Sequence, residues 1–80
     1  MFYYVYVLQS INNPDKFYVG YTINIKDRLT KHNEGGVHYT VKYKPWKIKN
    51  TISFDEKEKA LPFEKYLKSH SGRAFAKKHF

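Results

Sequence analysis

Cysteine is absent, and only three prolines and four glycines punctuate the 80 residues. No apolar run approaches the ~18 residues of a membrane span. Without thiols there is neither a disulfide framework nor a thiolate zinc site, and the four histidines are too scattered to form a Cys/His cluster. This composition suits a reducing cytoplasm. Met1-Phe2-Tyr3-Tyr4 leads directly into alternating strand residues rather than a basic segment and an apolar stretch, so neither secretion nor membrane insertion is expected. Acidic residues are also scarce: seven Asp and Glu stand against fifteen Lys and Arg, for a formal charge of +8. On so small a surface this excess attracts a polyanion over a range on the order of 10 Å. Nucleic acid is the expected partner. No helical segment combines a wide apolar face with a basic one strongly enough to lie in an anionic membrane interface.

What the chain has in abundance is aromatic side chains, six Phe, eight Tyr and one Trp. A chain of this length forms one small domain, residues 1–80, that buries only roughly 60% of its unfolded surface, and the aromatics offset part of that deficit. Tyr3 to Gln9 and Phe17 to Thr22 are rich in β-branched and aromatic residues, and Asn12-Asn13-Pro14-Asp15 between them is a turn cluster, which predicts a hairpin. Asn24 can cap a helix through Asn33 that Gly35-Gly36 ends, with Asp27 near its positive end. Val37 to Lys44 has little periodicity and reads as a loop. Trp46 to Phe54 reads as a third strand, with Trp46, Ile48, Asn50, Ile52 and Phe54 on one face and Lys47, Lys49, Thr51 and Ser53 on the other. Asp55 with Glu58 has capping-box character ahead of a helix through Lys68, which Pro62 should kink or delay. Ser71-Gly72 then precedes a short last helix from Arg73 to about His79, packed through Ala74, Phe75 and Phe80.

Alternation places Tyr4, Tyr6 and Leu8 on one face of the first strand and Tyr18, Gly20 and Thr22 on one face of the second. Tyr6 and Tyr18 share a face in any register whose opposed pairs sum to an even number. Gly20 on that face leaves room for a backbone or a phosphate. Arg28 and His32, four residues apart, lie on one side of the first helix and can both reach one anion.

Val5-Tyr6-Val7, Tyr18-Val19-Gly20-Tyr21-Thr22, Arg28-x-x-x-His32-Asn33, Gly36 with Thr40, and Glu64 follow one another in an order and spacing that resembles the GIY-YIG endonuclease family. The similarity is to small stand-alone bacterial members and to the catalytic domain of the excinuclease C subunit of DNA repair. It extends through Glu64-Lys65-Tyr66-Leu67-Lys68-Ser69 and Ser71-Gly72-Arg73-Ala74-Phe75-Ala76. The first motif has Val5 and Val7 about its tyrosine in place of the usual Gly-Ile, which keeps both tyrosine and strand.

The resemblance implies an α+β fold, a three-stranded mixed or antiparallel sheet flanked by helices in the order β-β-α-β-α-α. It also implies metal-dependent hydrolysis of phosphodiesters, in DNA as the expected substrate. Residue by residue, it assigns Tyr6 and Tyr18 to activating water, Arg28 to stabilising the phosphate, His32 to bonding phosphate or tuning a tyrosine, and Glu64 to holding one Mg²⁺ or Mn²⁺. One carboxylate plus a substrate phosphate is ordinary ligation for Mg²⁺. A tyrosine titrates near 10, so a phenolate near neutrality requires the positive charge of Arg28, nearby lysines and the metal. Lys42, Lys44, Lys47, Lys49, Lys68 and Arg73 are expected to form a basic rim for the nucleic-acid backbone, Trp46 to belong to the core, and His38, His70 and His79 to the surface. About six phosphate contacts give weak, salt-dependent binding, so a homodimer or a targeting partner protein would supply further affinity. Two rival readings are a non-catalytic nucleic-acid or adaptor module on the same fold, and an RNA recognition motif. The short turn between the aromatic strands disfavours the second.

Overall fold

In the computed structural model, which describes residues 1–80 throughout, the aromatic segments form an antiparallel hairpin of β1 (Tyr3–Ser10) and β2 (Phe17–Thr22). The helix α1 (Ile25–Asn33) follows, then a 3₁₀ turn (Val41–Tyr43), β3 (Trp46–Phe54), α2 (Lys57–Lys68) and α3 (His70–His79). β3 pairs antiparallel with the other edge of β1, giving the order β2-β1-β3. The expected β-β-α-β-α-α order is therefore present, with the sheet wholly antiparallel.

The sheet is covered on both faces. Val5 and Val7 point to one side, where Ala60 and Leu67 of α2 close a core edged by Val19, Phe54, Phe63 and Phe75. Tyr6 and Leu8 point to the other, where they pack with Trp46 and are covered by Ile25 and Leu29 of α1. β1 is central, and its Val5 to Leu8 stretch is buried on both sides.

One alternation in the sequence is broken by a bulge. Val7 opposes Asn50 but Leu8 opposes Ile48, so Lys49 is an extra residue. Beyond it the strand has changed face: Asn50, Ile52 and Phe54 lie with Val5, whereas Trp46 and Ile48 lie with Leu8 and Tyr6. The expected single face for all five is therefore wrong, and the bulge is what delivers Trp46 to the Tyr6 side.

The C-terminal helices also depart from expectation. α2 begins at Lys57 with Glu56 as its cap, without a side-chain capping bond, so the Asp55–Glu58 capping box does not form. It runs through Pro62 rather than starting there. Loss of one backbone bond costs about 3 kcal/mol, which burial of Ala60 on one side of the proline and Leu67 on the other offsets. The break between α2 and α3 is Ser69 alone, whose Oγ accepts from Gly72 N at 3.1 Å and donates to Tyr66 O at 2.6 Å. Ser71 and Gly72 belong to the first turn of α3, not to a linker. A Cβ on Gly72 would collide with the Tyr66 carbonyl, so this glycine is the contact point of the two helices. Phe75, Ala76 and Phe80 pack inward, and Ala74 is exposed.

Candidate active site

The register decides the site. Tyr6 opposes Gly20 and Leu8 opposes Tyr18, pairs whose numbers sum to 26, so both tyrosines face α1. The missing side chain at Gly20 is filled by Tyr6 itself: a Cβ there would strike the Tyr6 hydroxyl. Gly20 is buried, so its expected role of admitting a phosphate is corrected to that of seating a phenol. α1 is capped at its start by Asn24, which accepts from Asp27 N at 3.1 Å and donates to the Asp27 carboxylate at 3.0 Å. Ile25 and Leu29 then pack on the sheet, and Arg28 and His32, one turn apart, turn toward the tyrosines.

His32 is fully buried. Its Nε2 is 3.0 Å from Tyr6 Oη and its Nδ1 2.8 Å from Thr40 Oγ1, itself buried and 3.2 Å from Val37 O. Burial chiefly, and the Arg28 charge beside it, push the imidazole down to about 4, so it is neutral near pH 7. A buried ring cannot bond a substrate phosphate; of its two expected roles only tuning a tyrosine fits. Arg28 Nε donates to Tyr6 Oη across 3.4 Å, a long bond, and Tyr18 adds to the field that keeps the guanidinium charged. The rings of Tyr6 and Tyr18 are 6.4 Å apart, and that of Tyr18 is 5.0 Å from His32. Tyr6 is almost completely buried, whereas Tyr18 is partly open.

Arg28 by itself does not supply enough positive charge to favour a Tyr6 phenolate. Arg28 lowers the phenol's pKa, but desolvation outweighs it, and Tyr18 and Glu64 push the same way as desolvation, so Tyr6 titrates above its ordinary value. It is a neutral phenol held between a donor and an acceptor.

Glu64, on α2 behind the sheet, nevertheless bears on this cluster. Its charge contributes to the Tyr6 shift, and its Oε2 is 3.1 Å from Lys68 Nζ, which lies 6.0 Å from the Tyr18 ring centroid. Lys68 thus links the carboxylate to the ring of Tyr18 on the edge strand β2. No group of three or more His, Asp, Glu or Cys side chains gathers anywhere in the chain. A lone, partly exposed carboxylate suits a hydrated Mg²⁺ or Mn²⁺ shared with a phosphate and does not suit a closed tetrahedral site. Lys68 occupies the carboxylate here and would have to yield to a cation.

Lys42, Lys44, Lys68 and Arg73, expected at the rim, fall in two places. Lys42 and Lys44 flank Tyr43 on the 3₁₀ turn, with the Lys42 and Lys16 ammonium groups each 5.5 Å from its ring centroid. Lys68 and Arg73 line a groove between β2 and the C-terminal helices. Trp46 is core, its Nε1 donating to Thr40 O at 2.9 Å. Two supporting residues were not assigned roles from the sequence. Thr40 positions His32, and Asn33 clamps the start of β3 by accepting from Trp46 N at 2.6 Å and donating to Trp46 O at 3.1 Å. Both stand among the motif residues that resemble the family, Asn33 beside His32 and Thr40 with Gly36, which was a usable signal, although Thr40 lies in an otherwise aperiodic loop.

With a three-stranded antiparallel sheet and an Arg-Tyr-His cluster on one face, the chain belongs to the GIY-YIG catalytic domain family, whose model matches residues 2–78. Among relatives, it is 38% identical over 69 residues to a UPF0213 protein of Natronomonas pharaonis, covering 85% of this chain and 79% of that one. It is also 40% identical over 73 residues to the structure-specific endonuclease subunit SLX1 of Debaryomyces hansenii, covering 82% of this chain but 21% of that protein. The chain therefore spans about a fifth of that subunit. The solution NMR structure of a UPF0213 protein from Bacillus halodurans superposes with a TM-score of 0.57 at 33% identity, over 96% of this chain and 81% of that one.

Proposed function

We propose that this domain is a metal-dependent endonuclease that hydrolyses phosphodiester bonds in DNA. The observation that carries this reading is the bonded cluster of Arg28, Tyr6 and His32 beside Tyr18, with the Glu64 charge felt at Tyr6. Membership of a catalytic family and the likeness to a structure-specific endonuclease subunit support it.

A phosphodiester resists attack because its charge repels nucleophiles and its leaving alkoxide is poor. Arg28 offers a guanidinium fork to the non-bridging oxygens as charge builds on them. Thr40 Oγ1 gives its proton to Val37 O and accepts from His32 Nδ1–H, which leaves the Nε2 lone pair toward Tyr6. The Tyr6 hydroxyl, donating to Nε2 and accepting from Arg28, is held as a neutral phenol whose oxygen can orient the attacking water. Tyr18, the more open phenol, orients that water. Glu64 would hold the divalent ion, which supplies stabilisation of the leaving oxygen when bound.

Purified protein incubated with supercoiled, branched and single-stranded DNA and with RNA, with Mg²⁺, Mn²⁺ or chelator, tests this. Metal-dependent cleavage of DNA, abolished by Glu64→Ala and by Tyr6→Phe, is expected. Binding without cleavage on every substrate, with both variants indistinguishable from wild type, would refute the enzymatic reading and leave a non-catalytic binding module.

A further inference from the structure

The face of the sheet opposite Tyr6 carries a groove of ≈ 640 Å³ between β2 and the helices α2 and α3. Val19, Leu67 and Ala76 contribute to its apolar lining, and Phe17 and Phe80 add aromatic surface. Phe17 is half exposed although it is an aromatic residue on a strand, and the Lys49 ammonium lies 5.9 Å from its ring centroid. Lys16, Lys49, Lys68, Arg73 and Lys77 line the same groove, against Asp15 as the one acid. The bulge that moves Trp46 to the other face is also what makes Lys49 an extra residue beside Phe17. The groove does not stop at the sheet: Tyr18 and Lys68 line it and also belong to the cluster around the β2 edge.

We propose that this groove binds an unpaired strand of nucleic acid and leads it to Tyr18 and Glu64. The choice of nucleic acid rests on the nuclease reading; the choice of a single strand rests on the groove. A duplex offers phosphates and hides its bases, and a basic surface alone would serve it. Here the cations rim an apolar and aromatic lining, which is matched by a chain that presents both phosphates and base faces. The volume is that of a small-ligand pocket, room for bases and not for a helix. A junction where duplex gives way to a free strand would then be placed with its scissile phosphate at the β2 edge.

Fluorescence anisotropy in chelator, where nothing is cut, measures the groove independently of catalysis. The probes are an oligothymidylate and a duplex of the same length. Phe17→Ala should weaken the single strand by roughly five-fold or more, the loss expected for one stacked base, and change duplex binding by less than about two-fold. Lys49→Ala with Lys77→Ala should lower the slope of log affinity against log salt by about 1.4, at ~0.7 per phosphate contact on a single strand. Lys26→Ala with Lys31→Ala on α1, away from the groove, should leave the slope unchanged. Equal losses for duplex and single strand, no effect of Phe17→Ala, or an equal fall in slope for the α1 pair would overturn the proposal. So would polyglutamate binding with the same dependence on Phe17 and Lys49, which would make the occupant an acidic peptide. A protein that binds in this way but never cuts keeps the groove and loses the enzyme; one that cuts with Phe17→Ala unaffected in binding does the reverse.

Discussion

Lowering the pH should destabilise this domain through one buried imidazole. In the unfolded chain His32 takes up a proton near 6.5, whereas in the folded site it does so only at about 4. The unfolded state therefore binds more protons between these values. The stabilisation is fully present above about pH 6.5, declines as the pH falls toward 4, and is gone below it. At about 1.4 kcal/mol per pH unit, the whole effect is about 3 kcal/mol. That is a large share of the roughly 4–12 kcal/mol expected for 80 residues. Urea denaturation of wild type and His32→Gln at about pH 7.5 and about pH 4.5 isolates it, because carboxylate titrations are common to both proteins and cancel in the difference. Wild type should lose about 2–3 kcal/mol more than the variant over that interval. NMR titration of the ring adds a direct reading of the protonation midpoint and, through its nitrogen shifts, of the tautomer. Equal pH dependence of the two proteins, or a His32 midpoint near 6.5 in the folded state, would refute a buried, neutral imidazole at this position.

Three more perturbations have definite signs. Gly72→Ala ordinarily stabilises a helix by about 1 kcal/mol, but here the Cβ meets the Tyr66 carbonyl, so thermal denaturation should show a lower Tm. Thr40→Val leaves His32 Nδ1 without its partner; a loss of about 1–3 kcal/mol in chemical denaturation is expected, together with reduced cleavage although Thr40 touches no substrate. Lys68→Ala frees Glu64 from its i,i+4 partner. An exposed pair of this kind is worth roughly 0.3–0.5 kcal/mol, so half-maximal cleavage should need about half the Mg²⁺, and an increased requirement would show that Lys68 assists the cation instead of competing with it.

The order of elements, the hairpin, the Asn24 cap and the shared side of Arg28 and His32 were legible in the sequence, because each follows from local periodicity or from a cap within three residues of its target. Tyr6 and Tyr18 sharing a face followed once the parity was given, but parity itself is a fact of pairing and was only conditional in the sequence. Where local signals competed with packing, packing prevailed: α2 runs through Pro62 because Ala60 and Leu67 are both buried, and the Asp55–Glu58 capping box is left unmade.

By itself the sequence determined a basic, aromatic, thiol-free β-β-α-β-α-α chain, since composition and periodicity suffice for that, and the resemblance of its motifs to the family pointed to the residues of the candidate site. Only the tertiary structure decided where those residues lie and what they touch. Long-range contact seats Tyr6 in the space of Gly20, buries His32 between Tyr6 and Thr40, and turns Arg28 onto the same phenol. Desolvation then outweighs the nearby charge and keeps both Tyr6 and His32 neutral. The bulge at Lys49 sends Trp46 to one face and a lysine to the groove on the other. Burial and register depend on where the rest of the chain lies, and no local window of sequence contains that.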